Sequence, residues 1–188
     1  MPTAPLFRVA TSEDADRIAQ LHADSWRRAY RGSYSDEYLD GPVHEDRRTV
    51  WRERYSRIDP LMYTLLALDP DNEDGPLLGF ACSFANDDPK WGTLLDNLHV
   101  TGDTEGRGIG RQLLAASALW SEREHPEDGF FLWVLTDNAR ARRFYEHLGA
   151  TDEGAEESEQ PGGIVLGHRY VWHSIDPLRA HAPPNIEA

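Results

Sequence analysis

A glycine-rich turn lies between a strand-like segment and an amphipathic helix in the middle of this chain. The turn spans residues 101–110 and directly follows the strand-like run Leu94–Val100. It contains Gly106, Gly108 and Gly110. Glycine lets the backbone turn tightly and bring its N–H groups close to a ligand, and a helix that begins near Gly110 directs the positive end of its dipole to the same point. The arrangement predicts a site for a phosphate or pyrophosphate.

Several protein classes use a glycine-rich turn before a helix, and the details separate them. A P-loop would end in Gly-Lys-Ser or Gly-Lys-Thr, whereas this turn ends in Gly-Ile-Gly-Arg. A Rossmann loop follows the first strand and is followed about 20 residues later by a ribose-binding acid. Here the loop is in mid-chain, and Glu127 and Asp128 precede the next strand. A methyltransferase would also need its loop after the first strand, so the order of elements opposes both the Rossmann and the methyltransferase classes.

The pattern of apolar and turn residues predicts one mixed α+β domain. A chain of 188 residues that is 39% hydrophobic can bury one substantial core. Alternation and turn residues predict strands at residues 7–10, 62–68, 77–85, 94–100, 130–135 and 164–172. Helical spacing predicts a helix that carries Ile18, Leu21 and Trp26, and further helices at residues 44–57, 108–123 and 138–149, the last closed by Gly149. Residues 152–163 are interpreted as an acidic loop, and residues 174–188 as a mobile tail outside a domain of residues 1–173.

Composition restricts the partners. The net charge of −14 opposes nucleic acid binding, which needs a basic face, and favours cationic or neutral substrates. The chain has neither a basic start followed by an apolar run nor a segment of roughly 20 apolar residues, so we expect a cytoplasmic protein without membrane contact. The single cysteine, Cys82, excludes an internal disulfide and is predicted to be a buried strand residue. The eight histidines show no ligand spacing, so no metal is expected.

Two motifs, one in the glycine turn and one in the helix after the fifth strand, resemble the signatures of one protein family. The segment Glu105-Gly-Arg-Gly-Ile-Gly110 is similar to Gln/Arg-x-x-Gly-x-Gly/Ala. Residues 138–149, Asn-Ala-Arg-Ala-Arg-Arg-Phe-Tyr-Glu-His-Leu-Gly, are similar to Asn-x-x-Ala-x-x-Phe-Tyr-x-x-x-Gly. Both are signatures of the GCN5-related N-acetyltransferases. With the order of predicted elements, the resemblance covers about Leu6 to Trp172.

The resemblance implies a fold and an activity. The fold would be α+β, with a mostly antiparallel twisted sheet of six to seven strands, about four helices, and a parallel central pair that splays to form the acetyl-CoA cleft. The activity would be transfer of the acetyl group of acetyl-CoA to a primary amine of a small cationic molecule, a peptide or a protein, by direct attack and without a metal. A non-catalytic acyl-CoA-binding regulatory module is the alternative, and a homodimer stays open.

The resemblance also implies residues that hold the cofactor. The backbone of Leu98, His99 and Val100 would pair with the pantetheine arm, and one of these amides, that of Leu98 or His99, would polarise the thioester carbonyl. Asn138 would cap its helix or contact the arm. Because a carboxylate repels phosphate, Glu105 is expected to point to solvent. The main-chain amides of the turn would bind the pyrophosphate, helped by Arg107 or Arg111, and the residues concerned are Glu105, Gly106, Arg107, Gly108, Ile109, Gly110 and Arg111.

Two residues are candidates for proton transfer. Tyr145 matches the family tyrosine that protonates the departing thiolate. A tyrosine with an ordinary pKa near 10 would give its proton to a thiolate whose thiol has a pKa near 8.5, at a cost of about 2 kcal/mol. The alternative is that Tyr145 is only a core residue. Asp96 is the preferred base, with a surface acid on an edge strand as the alternative. Strand alternation is expected to direct His99 to the face opposite Asp96 and Leu98.

Aromatic residues between the first two helices predict part of the acceptor pocket. Trp26, Tyr30, Tyr34 and Tyr38 could form a wall suited to a cation, with Asp36 and Glu37 as its charge partners. Trp26 could equally be a core residue. No particular acceptor follows from this pattern.

Overall fold

A computed structural model describes residues 4–160 and 163–184, and only the backbone of residue 160. The strands are β1 Leu6–Val9, β2 Met62–Leu68, β3 Gly79–Asp88, β4 Gly92–Val100, β5 Phe130–Leu135, β6 Thr151–Gln160 and β7 Gly163–Trp172. The helices are α1 Ala15–Ala29, α2 Asp36–Asp40, α3 Val43–Tyr55, α4 Ile109–Glu124, α5 Ala139–His147 and α6 Asp176–Arg179. None of the helices in the described residues combines the length and hydropathy of a membrane span.

The strands form one seven-stranded sheet in the order β1-β2-β3-β4-β5-β7-β6. Only β4 and β5 are parallel, and every other neighbouring pair is antiparallel. Helices α1 and α3 pack on one face through apolar residues such as Ile18 and Trp51, and α4, α5 and α6 pack on the other through Leu113, Tyr145 and Leu178. The predicted α+β class and the parallel central pair are therefore confirmed.

The two parallel strands separate soon after they meet. Thr93 pairs with Phe130 and Leu94 with Phe131, and there the ladder between β4 and β5 ends. The Thr93 hydroxyl donates to Asp128 at 2.8 Å and accepts from Ser121 of α4 at 2.8 Å. These bonds hold the closed end of the splay, and beyond it the facing edges of both strands are free of each other.

A β-bulge lies at Asp96. In the β3–β4 ladder Asn97 is opposite Cys82 and Leu95 is opposite Ser83, so one extra residue of β4 stands between two consecutive residues of β3. A bulge reverses the alternation of side chains beyond it. Leu95 and Leu98 consequently both face the α4 side, although three positions separate them.

The prediction of a loop at residues 152–163 is wrong for residues 152–160 and 163, and residues 161 and 162 lie outside the described residues. Thr151–Gln160 forms strand β6, which is antiparallel to β7. The described side chains of this strand are exposed on both faces, so the sequence lacks the apolar alternation by which strands are recognised. Side-chain contacts with β7 help to hold it, an ion pair of Glu156 with Arg169 at 2.9 Å and a hydrogen bond between Asp152 and His168 at 2.8 Å.

The chain after residue 173 begins differently from the predicted mobile tail. Residues 176–179 form α6, in which Leu178 is fully buried against α4. Ordered packing therefore continues to at least Leu178, because this apolar side chain completes the core. That the chain forms a single domain stays a prediction. Helix α2 was not predicted either, since its five residues are too few to show a helical period.

Cys82 is buried in β3, as expected. Burial raises the pKa of its thiol to about 12, and Thr64 donates a hydrogen bond to its sulfur at 3.3 Å. A thiol that stays protonated is a poor nucleophile. Cys82 is therefore a packing residue.

Candidate active site

A cavity of about 980 Å³ opens where β4 and β5 part. It collects most of the residues that the sequence singled out. Those that line it are Trp26, Tyr30, Tyr34, Asp96, Leu98, His99, Val100, Glu105, Gly106, Gly108, Ile109, Gly110, Arg111, Asn138 and Tyr145. Four others are not part of its wall, namely Asp36, Glu37, Tyr38 and Arg107.

The glycine turn forms the mouth of the cavity. Gly106 has φ 81° and Gly108 has φ 82°, a left-handed conformation that other residues adopt only at a cost. A β-carbon at Gly106 would meet no atom within 4 Å, and one at Gly108 would meet only the Arg111 guanidinium, at 3.3 Å. Helix α4 starts at the next residue, Ile109. The turn is therefore an open cradle in front of a helix N-terminus. Two of the amides predicted to bind phosphate are already bonded within it, that of Glu105 to the Gly102 carbonyl at 3.3 Å and that of Arg107 to the Thr104 carbonyl at 3.2 Å.

The free edge of β4 presents alternate peptide groups. The Thr101 N–H donates to the Leu78 carbonyl of the preceding loop at 2.9 Å, in line with the β3–β4 register. In an antiparallel ladder, hydrogen-bonded and non-hydrogen-bonded positions alternate. The main chain of His99 therefore faces β3, and the N–H and C=O of Leu98 and Val100 face the cavity. Of the three predicted backbone contacts, His99 does not have its main chain at the free edge.

Glu105 does not point away into solvent. Its carboxylate lies 2.6 Å from Arg140 of α5 and 3.6 Å from Arg28 of α1. Arg28 also donates to the Val100 carbonyl at 2.9 Å. Two cations from helices remote in sequence therefore surround this acid, which is why a carboxylate can occupy the start of an anion-binding turn.

The expectation that His99 and Asp96 face opposite sides of the sheet is wrong, because of the bulge at Asp96. Arg54 of α3 pairs with the Asp96 carboxylate at 2.7 Å and donates to the Asn97 side chain at 3.0 Å. The centroid of the His99 ring lies 4.7 Å from that of His22 of α1. Asp96 and His99 are therefore on the same, α1 and α3, side of the sheet. Strict alternation placed the two side chains on opposite faces of the sheet, because it does not allow for the extra residue of the bulge.

His22 and His99 form a buried polar pair. His22 accepts a hydrogen bond from the Trp51 indole at its Nδ1, 2.9 Å away, and its Nε2 has no partner among the described residues. Burial, with a contribution from Arg28 and Arg47, lowers the pKa of His99 to about 3, and burial also lowers that of His22. Both imidazoles are therefore neutral at neutral pH.

Tyr145 and Asn138 reach the cavity from α5. Tyr145 is 9% exposed and packs against Tyr170 and Trp172. Burial raises its pKa above the ordinary value, so the phenol stays protonated. Giving up this proton costs more free energy than it would for an exposed tyrosine. The Asn138 side chain accepts from the Ala141 N–H at 3.1 Å, which confirms its role as a helix cap.

The aromatic wall already holds a cation of the chain itself. The Arg47 guanidinium lies 4.4 Å from the centroid of the Trp26 ring. Trp26 and Tyr34 are buried in a core cluster with Leu39 and Val43, so they are core residues whose edges reach the cavity. The expected charge partner Asp36 pairs elsewhere, with Arg31 at 2.7 Å.

Several cavity residues were missed from the sequence. Ser25, Arg28, Arg47 and Arg54 line the cavity but belong to no motif. Arg140 also lines it, from a variable position of the motif of residues 138–149. Arg47 and Arg54 are seven residues apart on α3, at the spacing of one helix face, with Trp51 between them. That spacing was the only available signal, and nothing local indicated that this face meets β4.

Comparison with known proteins identifies the family. The model of the acetyltransferase (GNAT) family matches residues 18–150. The chain belongs to this family. It is 29% identical over 162 residues to the uncharacterized N-acetyltransferase YuaI of Bacillus subtilis, a match that covers 85% of this chain and 87% of that protein. As a GNAT protein it is an acyltransferase.

Solved GNAT structures share the fold. The PaiA N-acetyltransferase of Thermoplasma acidophilum, in complex with coenzyme A, has a TM-score of 0.64 and 19% identity over 90% of this chain and all of that one. Arabidopsis thaliana NAA60, in complex with acetyl-CoA, has a TM-score of 0.65 and 20% identity over 89% of this chain and 97% of that one. At these identities the likeness establishes architecture alone. Within residues 4–160 and 163–184 no group of three or more His, Cys, Asp or Glu could hold a metal ion.

Proposed function

We propose that the protein transfers the acetyl group of acetyl-CoA to a primary amine of a small molecule or peptide by direct attack. The observation that carries this proposal is one cavity in which a free strand edge, an open glycine cradle and Tyr145 meet. The name of its relative YuaI and the coenzyme A and acetyl-CoA complexes of its structural neighbours support it.

The residues present fit a long, anionic thioester cofactor. The amides of Glu105 and Arg107 donate to the Gly102 and Thr104 carbonyls, so the amides of Gly106 and of residues 108–111 would hold the pyrophosphate. Each hydrogen bond to a charged acceptor would contribute about 1.5 to 3 kcal/mol. Arg111 and Arg140 line the same end of the cavity, which favours an anion there. Arg28 already donates to the Val100 carbonyl, so the peptide groups left for the pantetheine arm are the N–H and C=O of Leu98 and the N–H of Val100.

Acetyl-CoA supplies the acyl group as a reactive thioester. At the free edge the Leu98 N–H would stabilise negative charge that develops on a carbonyl oxygen. Tyr145 would donate its phenolic proton to the leaving sulfur, a role supported by its protonated state and its place in the wall. No hydrogen bond of the Tyr145 hydroxyl is found among the described residues, so this donor is not already engaged.

Asp96 is proposed as the base that accepts a proton from the amine. Its carboxylate lies in the cavity wall and its side chain is 29% exposed, which leaves room for a water between acid and amine. The ion pair with Arg54, at 2.7 Å, holds the carboxylate in this position.

Release of free thiol from acetyl-CoA in the presence of a panel of amines tests the proposed function. We expect release that depends on the amine and a product whose mass is larger by one acetyl group. Binding of coenzyme A in calorimetry without amine-dependent release would instead support the non-catalytic module.

Replacing Asp96 with asparagine is expected to lower kcat/KM about 100-fold, the usual contribution of a general base, and to remove a limb of its pH profile. Asp16→Asn is the matched control, because Asp16 also pairs with an arginine of α3, Arg52 at 2.9 Å, but lies outside the cavity wall. If Asp96→Asn keeps the wild-type profile, the proton leaves by another route.

A further inference from the structure

The acceptor end of the cavity contains a buried arginine with unused hydrogen-bonding capacity. The Arg47 side chain is only 10% exposed, and its single ion pair among the described residues is with Asp46, at 2.8 Å. Asp46 is shared, because it also accepts a hydrogen bond from the Tyr38 hydroxyl. The Nε of Arg47 has no partner in the described part of the chain. A guanidinium has five N–H donors, so this cation is underused for its degree of burial.

A second unpartnered donor belongs to the same wall. Ser25 of α1 is 2% exposed, and its hydroxyl makes no hydrogen bond with the described residues. Both Ser25 and Arg47 line the cavity. Buried polar groups are nearly always hydrogen-bonded, so two unsatisfied donors in one cavity wall indicate a ligand that accepts from them.

The charges around Arg47 favour an anion. Of the aromatic rings that could hold a substrate cation, that of Trp26 is occupied by Arg47 itself. Two acids of the cavity wall are paired with arginines, Asp96 with Arg54 and Glu156 with Arg169, and the neighbouring Glu157 also lines the cavity. Besides burial, the positive charge of Arg47 contributes to lowering the pKa values of His22 and His99, which indicates that its field extends into this wall.

We infer that Arg47 and Ser25 bind a carboxylate of the acceptor, so that the substrate is a small amine that also carries a carboxylate, of the amino-acid class. This inference rests on the proposed function and specifies its acceptor. A guanidinium pairs well with the planar carboxylate. A phosphate dianion fits less well, because Asp46 already neutralises part of the charge of Arg47.

Matched acceptors test this inference with the wild-type protein. The panel contains amino acids with one to four carbons between amine and carboxylate, the amide of each, the amine without the carboxyl group, and amines that carry a phosphate. Rates are expressed per unprotonated amine, since the substituent changes the amine pKa. We expect kcat/KM for a carboxylate acceptor to exceed that for its amide by about 10- to 100-fold, as for a lost charged hydrogen bond.

The outcomes separate the two proposals. Thiol release that is equal for acid and amide, or greatest for phosphorylated amines, overturns the carboxylate site and leaves acetyl transfer intact. If no amine releases thiol, the proposed function itself fails.

Substitution of Arg47 tests the site directly. We expect Arg47→Gln to reduce the acid-to-amide ratio of kcat/KM to about 1, and Ser25→Ala to reduce it about fivefold. The ratio is informative even if some of the variant is unfolded, because unfolding lowers both rates equally. Arg48→Gln is the control, since Arg48 is the next residue of α3, pairs with Glu45 at 2.7 Å and lies outside the cavity wall. An unchanged ratio in Arg47→Gln would exclude this arginine as the anion site.

Discussion

Replacing Gly108 with valine is expected to reduce the affinity for coenzyme A by about 100- to 10,000-fold. At φ 82° a residue with a β-carbon is strained by roughly 1–2 kcal/mol, and relief of that strain would turn the amides of the cradle away from their common point. The loss of two hydrogen bonds to phosphate, each about 1.5 to 3 kcal/mol, corresponds to this factor. Isothermal titration calorimetry with coenzyme A measures it.

Gly154→Val is the matched control for backbone strain. Gly154 has φ 112°, a β-carbon there would meet no atom within 4 Å, and the residue lies in β6 outside the cavity wall. The control should lose thermal stability as Gly108→Val does but bind coenzyme A as the wild type does. Retention of wild-type affinity by a folded Gly108→Val protein would refute the phosphate cradle.

Replacing Tyr145 with phenylalanine is expected to lower kcat by about 100-fold or more while the dissociation constant of coenzyme A changes less than about twofold. The ring, which packs against Trp172 and Tyr170, is retained. Only the proton donor is lost, so the effect should fall on the chemical step. Steady-state kinetics and calorimetry on the same preparation separate the two quantities.

Tyr63→Phe provides the comparison. Tyr63 is as buried as Tyr145, at 9% exposure, but it stacks on Trp120 and does not line the cavity. This variant should keep the wild-type kcat. Equal turnover of Tyr145→Phe and wild type would reduce Tyr145 to a packing residue, the alternative that its aromatic neighbours suggest.

Local patterns in the sequence were sufficient for much of the fold. The glycine turn, the helix after it and the signature of residues 138–149 were predicted correctly, because each depends on conformations within a few consecutive residues. A sheet of six to seven strands with one parallel pair followed from the family resemblance, and the observed seven-stranded sheet confirms it. Strand β6 was missed because its partner, β7, rather than its own composition, makes it a strand.

The sequence by itself determined the cradle and the aromatic and polar residues that belong to the motifs, since backbone conformation and helical spacing are local properties. Only the tertiary structure decided which groups face one another. The bulge at Asp96 brings that acid to the side of His99, Arg28 and Arg140 converge on Glu105, and Arg47 stacks on Trp26. These contacts join segments that are distant in the chain, and their geometry depends on strand register and helix packing, which no short stretch of sequence specifies.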